Sequence, residues 1–263
     1  RGKSKNMQRV IAVLNQKGGV GKTTTAVNIA AYLGKGGASV LLIDLDPQGN
    51  ATSGLGIDKL SLEGTSYQAL ITDETAFDAV AIQTEVQGVT LIPTNADLAG
   101  VEVQLANKEQ RETRLRSFLH KANSYNYDYV LIDCPPSLGL LTVNALTAAT
   151  DVLIPVQTEY YAMEGLSQLI QVIQRVQQGL NPTLQILGVV MTMYDSRTSL
   201  SEQVKAEITR VFGDLVFTTV IPRNVRLAEA PSHGKPIMQY DKWSKGARSY
   251  KSLTKEVRER IDG

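Results

Sequence analysis

Val13-Leu14-Asn15-Gln16-Lys17-Gly18-Gly19-Val20-Gly21-Lys22-Thr23-Thr24 decides how this chain is read. An apolar run, 10–14, leads into it, and a helical pattern opens at Thr23, so the stretch joins a strand to a helix. That is the context a phosphate-binding loop requires. The glycines let the backbone curl until several N–H groups face one anion. The helix N-terminus adds its partial positive charge. Lys22 is expected to reach the β- and γ-phosphates of a nucleotide, and the Thr23 hydroxyl to hold Mg²⁺. In the ordinary pattern G-x-x-x-x-G-K-[ST] the first glycine would fall at Gln16, and here a second lysine, Lys17, follows it. The expected nucleotide-binding residues of the loop are Lys17, Gly18, Gly19, Val20, Gly21, Lys22, Thr23 and Thr24. A bare glycine-rich turn with a surface lysine would not explain why strand, glycines, Gly-Lys-Thr and helix all agree.

Two more strand ends carry carboxylates. Leu41-Leu42-Ile43-Asp44-Leu45-Asp46-Pro47 places acids at i and i+2, which point the same way from an extended chain. One suits a magnesium shell and the other an attacking water. Tyr129-Val130-Leu131-Ile132-Asp133-Cys134-Pro135-Pro136 is again an apolar strand ending in an acid, as in a Walker B element that binds magnesium through water. Cys134 reads as a small buried residue, since no His lies near it in sequence. Further on, Asn224 in Pro222-Arg223-Asn224 has the donor and acceptor an adenine edge requires, and equally suits a turn.

Short β-branched runs at 10–14, 40–45, 89–93, 129–132, 152–156, 186–191 and 216–221 predict strands. Helical patterns cover 23–35, 95–105 and 111–121, and others start at 139, 162, 199 and 246. Residues 54–88 are variable and polar. Such alternation implies a doubly wound α/β fold, a mostly parallel sheet with helices on both faces. Ligands then bind at the carboxyl ends of the strands, where the loop already lies. Residues 1–8 are read as a flexible arm, and 9–263 as a single P-loop ATPase domain.

The chain has 263 residues, 43% hydrophobic, with one cysteine and two histidines. No apolar run approaches the ~20 residues that span a bilayer. A lone cysteine forms no internal disulfide, which fits a reducing compartment, and leaves too few ligands for a structural zinc. Net charge is +1, yet 223–260 carries +6 and the remainder −5. That asymmetry points to an anionic partner on the C-terminal side.

Lys-Gly-Gly-Val-Gly-Lys-Thr resembles the deviant P-loop of the ParA/MinD ATPases. Together with Asp44-Leu-Asp-Pro-Gln-Gly-Asn-Ala-Thr52, it makes the chain most similar to the short chromosomal ParA/Soj group, over nearly all of 9–261. The resemblance implies an ATP hydrolase using ATP/ADP and Mg²⁺, with Lys17, Lys22 and Asp46 as catalytic residues. Lys17 would reach across an ATP-dependent homodimer to the partner's nucleotide, and Asp46 would polarise the hydrolytic water. Thr23, Asp44 and Asp133 would form the magnesium shell, and Pro222 and Asn224 would contact adenine. Glu159-Tyr160-Tyr161 would lie near the dimer seam. Relatives with a bridging iron–sulfur cluster need two cysteines per chain, which excludes that use here.

Within this family, some members grip membranes and others DNA. The last helix carries Tyr250, Leu253, Val257 and Ile261 on one face, a core-docking stripe rather than a membrane face. Arg197, Arg223, Arg226, Lys242, Lys245, Arg248, Lys251 and Lys255 suit the phosphates of non-specific double-stranded DNA. The expected function is DNA partition in the cytoplasm on the nucleoid, with hydrolysis triggered by a ParB-like activator and no membrane partner. The alternatives are the same switch positioning a chemoreceptor array or carboxysome, a MinD-like division regulator, and an ATP-dependent ligase.

Overall fold

The computed structural model describes residues 8–19 and 21–263. Val20, expected to bind nucleotide, and residues 1–7 of the expected arm lie outside them. Seven strands form one sheet among the described residues: β1 (Arg9–Val13), β2 (Val40–Asp44), β3 (Ile82–Gln83), β4 (Val89–Ile92), β5 (Tyr129–Asp133), β6 (Asp151–Gln157) and β7 (Gln185–Thr192). Their order is β3-β4-β2-β5-β1-β6-β7. All pairings are parallel except that of the two-residue edge strand β3 with β4.

Among the described residues, eleven α-helices pack around the sheet: α1 (Lys22–Lys35), α2 (Asn50–Gly54), α3 (Ser66–Ile71), α4 (Val101–Leu105), α5 (Arg114–Ala122), α6 (Leu140–Ala148), α7 (Ala162–Gln178), α8 (Ser199–Phe212), α9 (Val225–Glu229), α10 (Ile237–Tyr240) and α11 (Lys245–Asp262). Strand alternation divides the core in two. Val10, Ala12 and Leu14 point to one face with Leu141, Leu166, Ile173 and Ile208. Ile11 and Val13 point to the other with Ala26, Ile29, Tyr250, Leu253 and Val257. Both faces of the central strands are therefore dry, which explains their unbroken apolar sequences. The expected doubly wound fold is observed.

Helix α11 docks on α1. The buried Tyr250 hydroxyl lies 3.0 Å from Thr25 Oγ1, and Tyr32 Oη donates to the Ala247 carbonyl at 2.9 Å. Its apolar stripe thus faces the core. On α1, Gly34 allows the helix to approach the β3–β4 turn: a Cβ there would stand 2.1 Å from the Gln87 carbonyl oxygen.

One expected strand is not part of the sheet. Residues 216–221 run beside β7 without a continuous ladder: an isolated bridge joins Val216 to Val189, the Ile221 amide donates to the Met191 carbonyl at 2.8 Å, and just past both segments Pro222 bridges to Tyr194. The Glu256 carboxylate takes the amides of Thr218 and Thr219, at 2.7 and 3.0 Å, and so pulls the middle of the segment off the ladder. The expected helix at 95–105 is also interrupted: a 3₁₀ turn, Ala96–Gly100, precedes α4. Within 54–88, Thr65 and Gln68 form a capping box that starts α3.

Candidate active site

Strands β2, β5 and β1 are adjacent, and register aligns their ends. Asp133 pairs with Val13 on one side and with Asp44 on the other. Residues about ninety apart in sequence thereby meet beside the loop that follows β1. The loop is held by Asn15, whose Oδ1 accepts from the Lys17 amide at 3.1 Å and whose Nδ2 donates to the Pro155 carbonyl at 2.8 Å. Gly21 has φ 84°, a left-handed conformation that an L side chain rarely adopts. It lies against Thr192 at the end of β7.

Lys22 is buried, and its Nζ spans the loop to donate to the Lys17 carbonyl at 2.7 Å. Burial lowers its pKa, and the nearby Asp133 carboxylate opposes that shift. Thr23 Oγ1 donates to Asp133 Oδ2 at 2.7 Å. The other oxygen, Asp133 Oδ1, is buried with no hydrogen-bond partner among the described residues. Burial, and then the charge of Asp44, push the Asp133 carboxyl well above the usual carboxylate range. Asp44 is itself pushed up to about 6, chiefly by burial. An orphaned buried oxygen beside a hydroxyl fits a hydrated divalent cation, which supplies the missing positive charge. Thr23 and Asp133 are the residues that would hold it.

Asp44 has a second task. Its Oδ2 accepts from the amide and hydroxyl of Thr52, at 2.9 and 2.7 Å, and its Oδ1 from the Asp46 amide at 3.2 Å. Thr52 Oγ1 in turn accepts from the Thr94 amide at 3.0 Å. The acid therefore anchors α2 as well as facing Asp133. Asp46 is buried too, and its Oδ1 accepts the Gln48 amide, at 3.0 Å, in a turn around Pro47.

Lys17 is half-exposed and lies outside the phosphate cradle, in an ion pair with Glu159. Beside Glu159, Tyr160 and Tyr161 are 78% and 68% exposed, an apolar edge next to the loop. The Pro222–Asn224 turn is fastened to the end of β7 by the Arg223 amide, which donates to the Tyr194 carbonyl at 3.2 Å. Asn224 Oδ1 caps α9 by accepting from the Leu227 amide at 3.2 Å. A cleft of about 220 Å³ opens beside the loop between α1, α2 and 227–236, lined by Thr23, Thr24, Asn28, Asn50 and Ser53 among others. Pro222 and Asn224 do not line it. Asn28, Thr52 and Glu159 were not expected as site residues. Asn28 fastens the Ile237 amide to α1, and its signal was only a polar residue on a buried helix face.

Residues 8–186 match the family model described as AAA domain. The chain is 55% identical over 251 residues to the sporulation initiation inhibitor protein Soj of Bacillus subtilis strain 168, across 95% of this chain and 98% of that protein. It is 52% identical over 255 residues to the chromosome partitioning protein ParA of Caulobacter vibrioides, across 97% and 95%. The chain belongs to the ParA/Soj family of chromosome-partitioning ATPases. It is an ATP hydrolase, as the loop and carboxylates predict. A crystal structure of cobyrinic acid a,c-diamide synthase from Mycobacterium smegmatis, with bound ADP and magnesium, superposes with a TM-score of 0.82 at 42% identity, covering 95% of this chain and 93% of that one.

Of the basic residues expected to meet DNA, Arg197 is committed to Asp195, Arg226 to Glu229 and Asp241, and Lys255 to Glu259. Arg223, Lys245, Arg248 and Lys251 are exposed, and none of them is in an ion pair among the described residues. Lys242 lies over the Trp243 ring.

Proposed function

We propose that this ATPase is a DNA-partitioning switch: ATP and Mg²⁺ drive a homodimer that binds duplex DNA without sequence preference, and a ParB-like activator triggers hydrolysis and release. The observation that carries the reading is Lys17. A cation beside a complete phosphate cradle, yet outside it, serves best in trans, where it neutralises charge on the partner's transferring phosphoryl group. The exposed Tyr160–Tyr161 edge gives that dimer an apolar seam. Within each protomer, Lys22 and the loop amides hold the phosphates, Thr23 and Asp133 hold magnesium with help from Asp44, and Asp46 orients the water. Pro222 and Asn224 approach the adenine from the end of β7. The unpaired cations of α11 and Arg223 supply phosphate contacts, and a dimer doubles their number. The protein is then cytoplasmic and nucleoid-associated.

The synthase likeness favours a second reading, ATP-driven amide formation. That chemistry needs a second substrate beside the γ-phosphate. The only cysteine, Cys134, is fully buried with its pKa raised by burial, so it offers no thiolate to release ammonia from an amide donor. Cosedimentation with random duplex DNA or with anionic vesicles, with and without ATP, tests the main reading. ATP-dependent DNA pelleting that Lys245→Glu, Arg248→Glu and Lys251→Glu together abolish is the expected result. Pelleting with vesicles alone, or with neither, counts against it.

A further inference from the structure

Trp243 is the only tryptophan in the chain, and it is 76% exposed. A large exposed aromatic ring offers a binding partner much apolar contact area, and its charged surroundings give that surface a direction. Its ring meets the ammonium of Lys242, 5.0 Å from the centroid. The backbone beneath it is held on both sides. The Trp243 amide donates to Asp241 Oδ1 at 3.1 Å, and Ser244 Oγ caps α11 by accepting from the Ala247 amide at 3.1 Å. Asp241, the adjacent acid, is engaged by Arg226 at 3.4 Å. Directly after the indole, α11 presents the unpaired Lys245, Arg248 and Lys251 to solvent. A rigidly mounted aromatic plate therefore heads a row of free cations.

We propose that Trp243 packs its indole against the bases of duplex DNA while Lys242, Lys245 and Arg248 hold the flanking phosphates. This rests on the DNA-binding reading above and adds a contact of a different physical kind. Phosphate contacts weaken steeply with salt because they release counterions. An apolar ring pressed into the minor groove or against a base step depends little on salt. At a base step that it partly unstacks, such a ring reads little sequence, since every base has a π-face. Charge complementarity selects DNA over the other covers for this patch. An apolar groove on a protein would match the indole alone and leave the cations unused. A lipid surface would need an apolar helix face, and that of α11 is turned inward through Tyr250, Leu253 and Val257.

A single tryptophan makes the test direct. The protein is titrated with a random-sequence duplex in the presence of a non-hydrolysable ATP analogue and magnesium, following indole fluorescence and, separately, DNA retention. Quenching that tracks retention is expected. Trp243→Ala should bind roughly ten-fold more weakly with an unchanged dependence of log affinity on log salt. Trp243→Phe should recover part of the loss. Lys245→Ala should instead lower the salt slope by about one. DNA retained with unquenched fluorescence and an unaltered Trp243→Ala affinity overturns the assignment and leaves the DNA reading standing. Quenching by the nucleotide analogue alone, undisturbed by DNA, puts the indole in a protein seam and also overturns it. A blue shift with anionic vesicles but not with DNA assigns the patch to lipid. No DNA retention at all removes the underlying reading, and this inference with it.

Discussion

Replacing Asp133 by Asn should stabilise the nucleotide-free protein and abolish its response to magnesium. Asp133 Oδ1 is buried without a partner among the described residues, and burial together with Asp44 holds the carboxyl well above its ordinary range. Asp44, in the same cluster, rises from 3.8 to about 6. Each unit is worth about 1.36 kcal/mol, so a shift of that size costs the fold about 3 kcal/mol once pH exceeds the shifted value. Asp133 is shifted in the same direction, by burial and then by the charge of Asp44. An acid with a raised pKa favours the fold below its ordinary value and loses that advantage as pH rises. The penalty therefore builds from pH 3.8 upward and is complete for Asp44 above about 6. Asparagine keeps the shape and still accepts from Thr23 but carries no charge. At pH 8 in chelator, Asp133→Asn should unfold above the parent, each kcal/mol of relieved penalty moving the melting temperature by about 2–4 °C. At about pH 4.5 the gap should shrink, because the carboxyl then begins to take up its proton in the unfolded chain as well. Adding ATP and magnesium should raise the parent's melting temperature far more than the variant's. Calorimetry at the two pH values measures all of this. A variant no more stable than the parent at pH 8 would show that the carboxylate is already neutralised, and the reasoning would be wrong.

Lys22→Ala should weaken ATP binding by roughly 100-fold, the loss of a charge-assisted phosphate contact, as read by equilibrium titration; near-normal affinity would remove Lys22 from the phosphates. Lys17→Ala and Asp46→Ala should fail in opposite ways: the first binds ATP as a monomer, the second stays dimeric with turnover nearly lost. Sedimentation velocity and phosphate release distinguish them, and a Lys17→Ala dimer of normal stability refutes the contact in trans. Gly34→Ala should cost about 3 kcal/mol or prevent folding, because its Cβ would overlap the Gln87 carbonyl; urea melts check this, and a neutral effect would mean that the β3–β4 turn yields freely.

Much of the site was legible because its chemistry is local. A strand, a glycine-rich turn and Gly21-Lys22-Thr23 lie within one stretch, and the acids at 44, 46 and 133 each end an apolar run. The fold class followed from the same runs, since strands buried on both faces have no polar alternation to disguise them. Sequence alone thus determined the nucleotide loop, the carboxylates, the layer architecture and the surplus lysine. Tertiary structure decided how they meet. Only the β2-β5-β1 order and the pairing of Asp44 with Asp133 put two acids in one dry pocket, and that pairing depends on register between segments far apart in the chain. Only packing showed that Glu256 draws 216–221 off the sheet and that Glu159 holds Lys17. The basic stretch at the C-terminus looked uniform in sequence. Which of its cations are free, and that an indole stands among them, depended on which acids the fold carried alongside, because ion pairs and exposure are properties of neighbours in space.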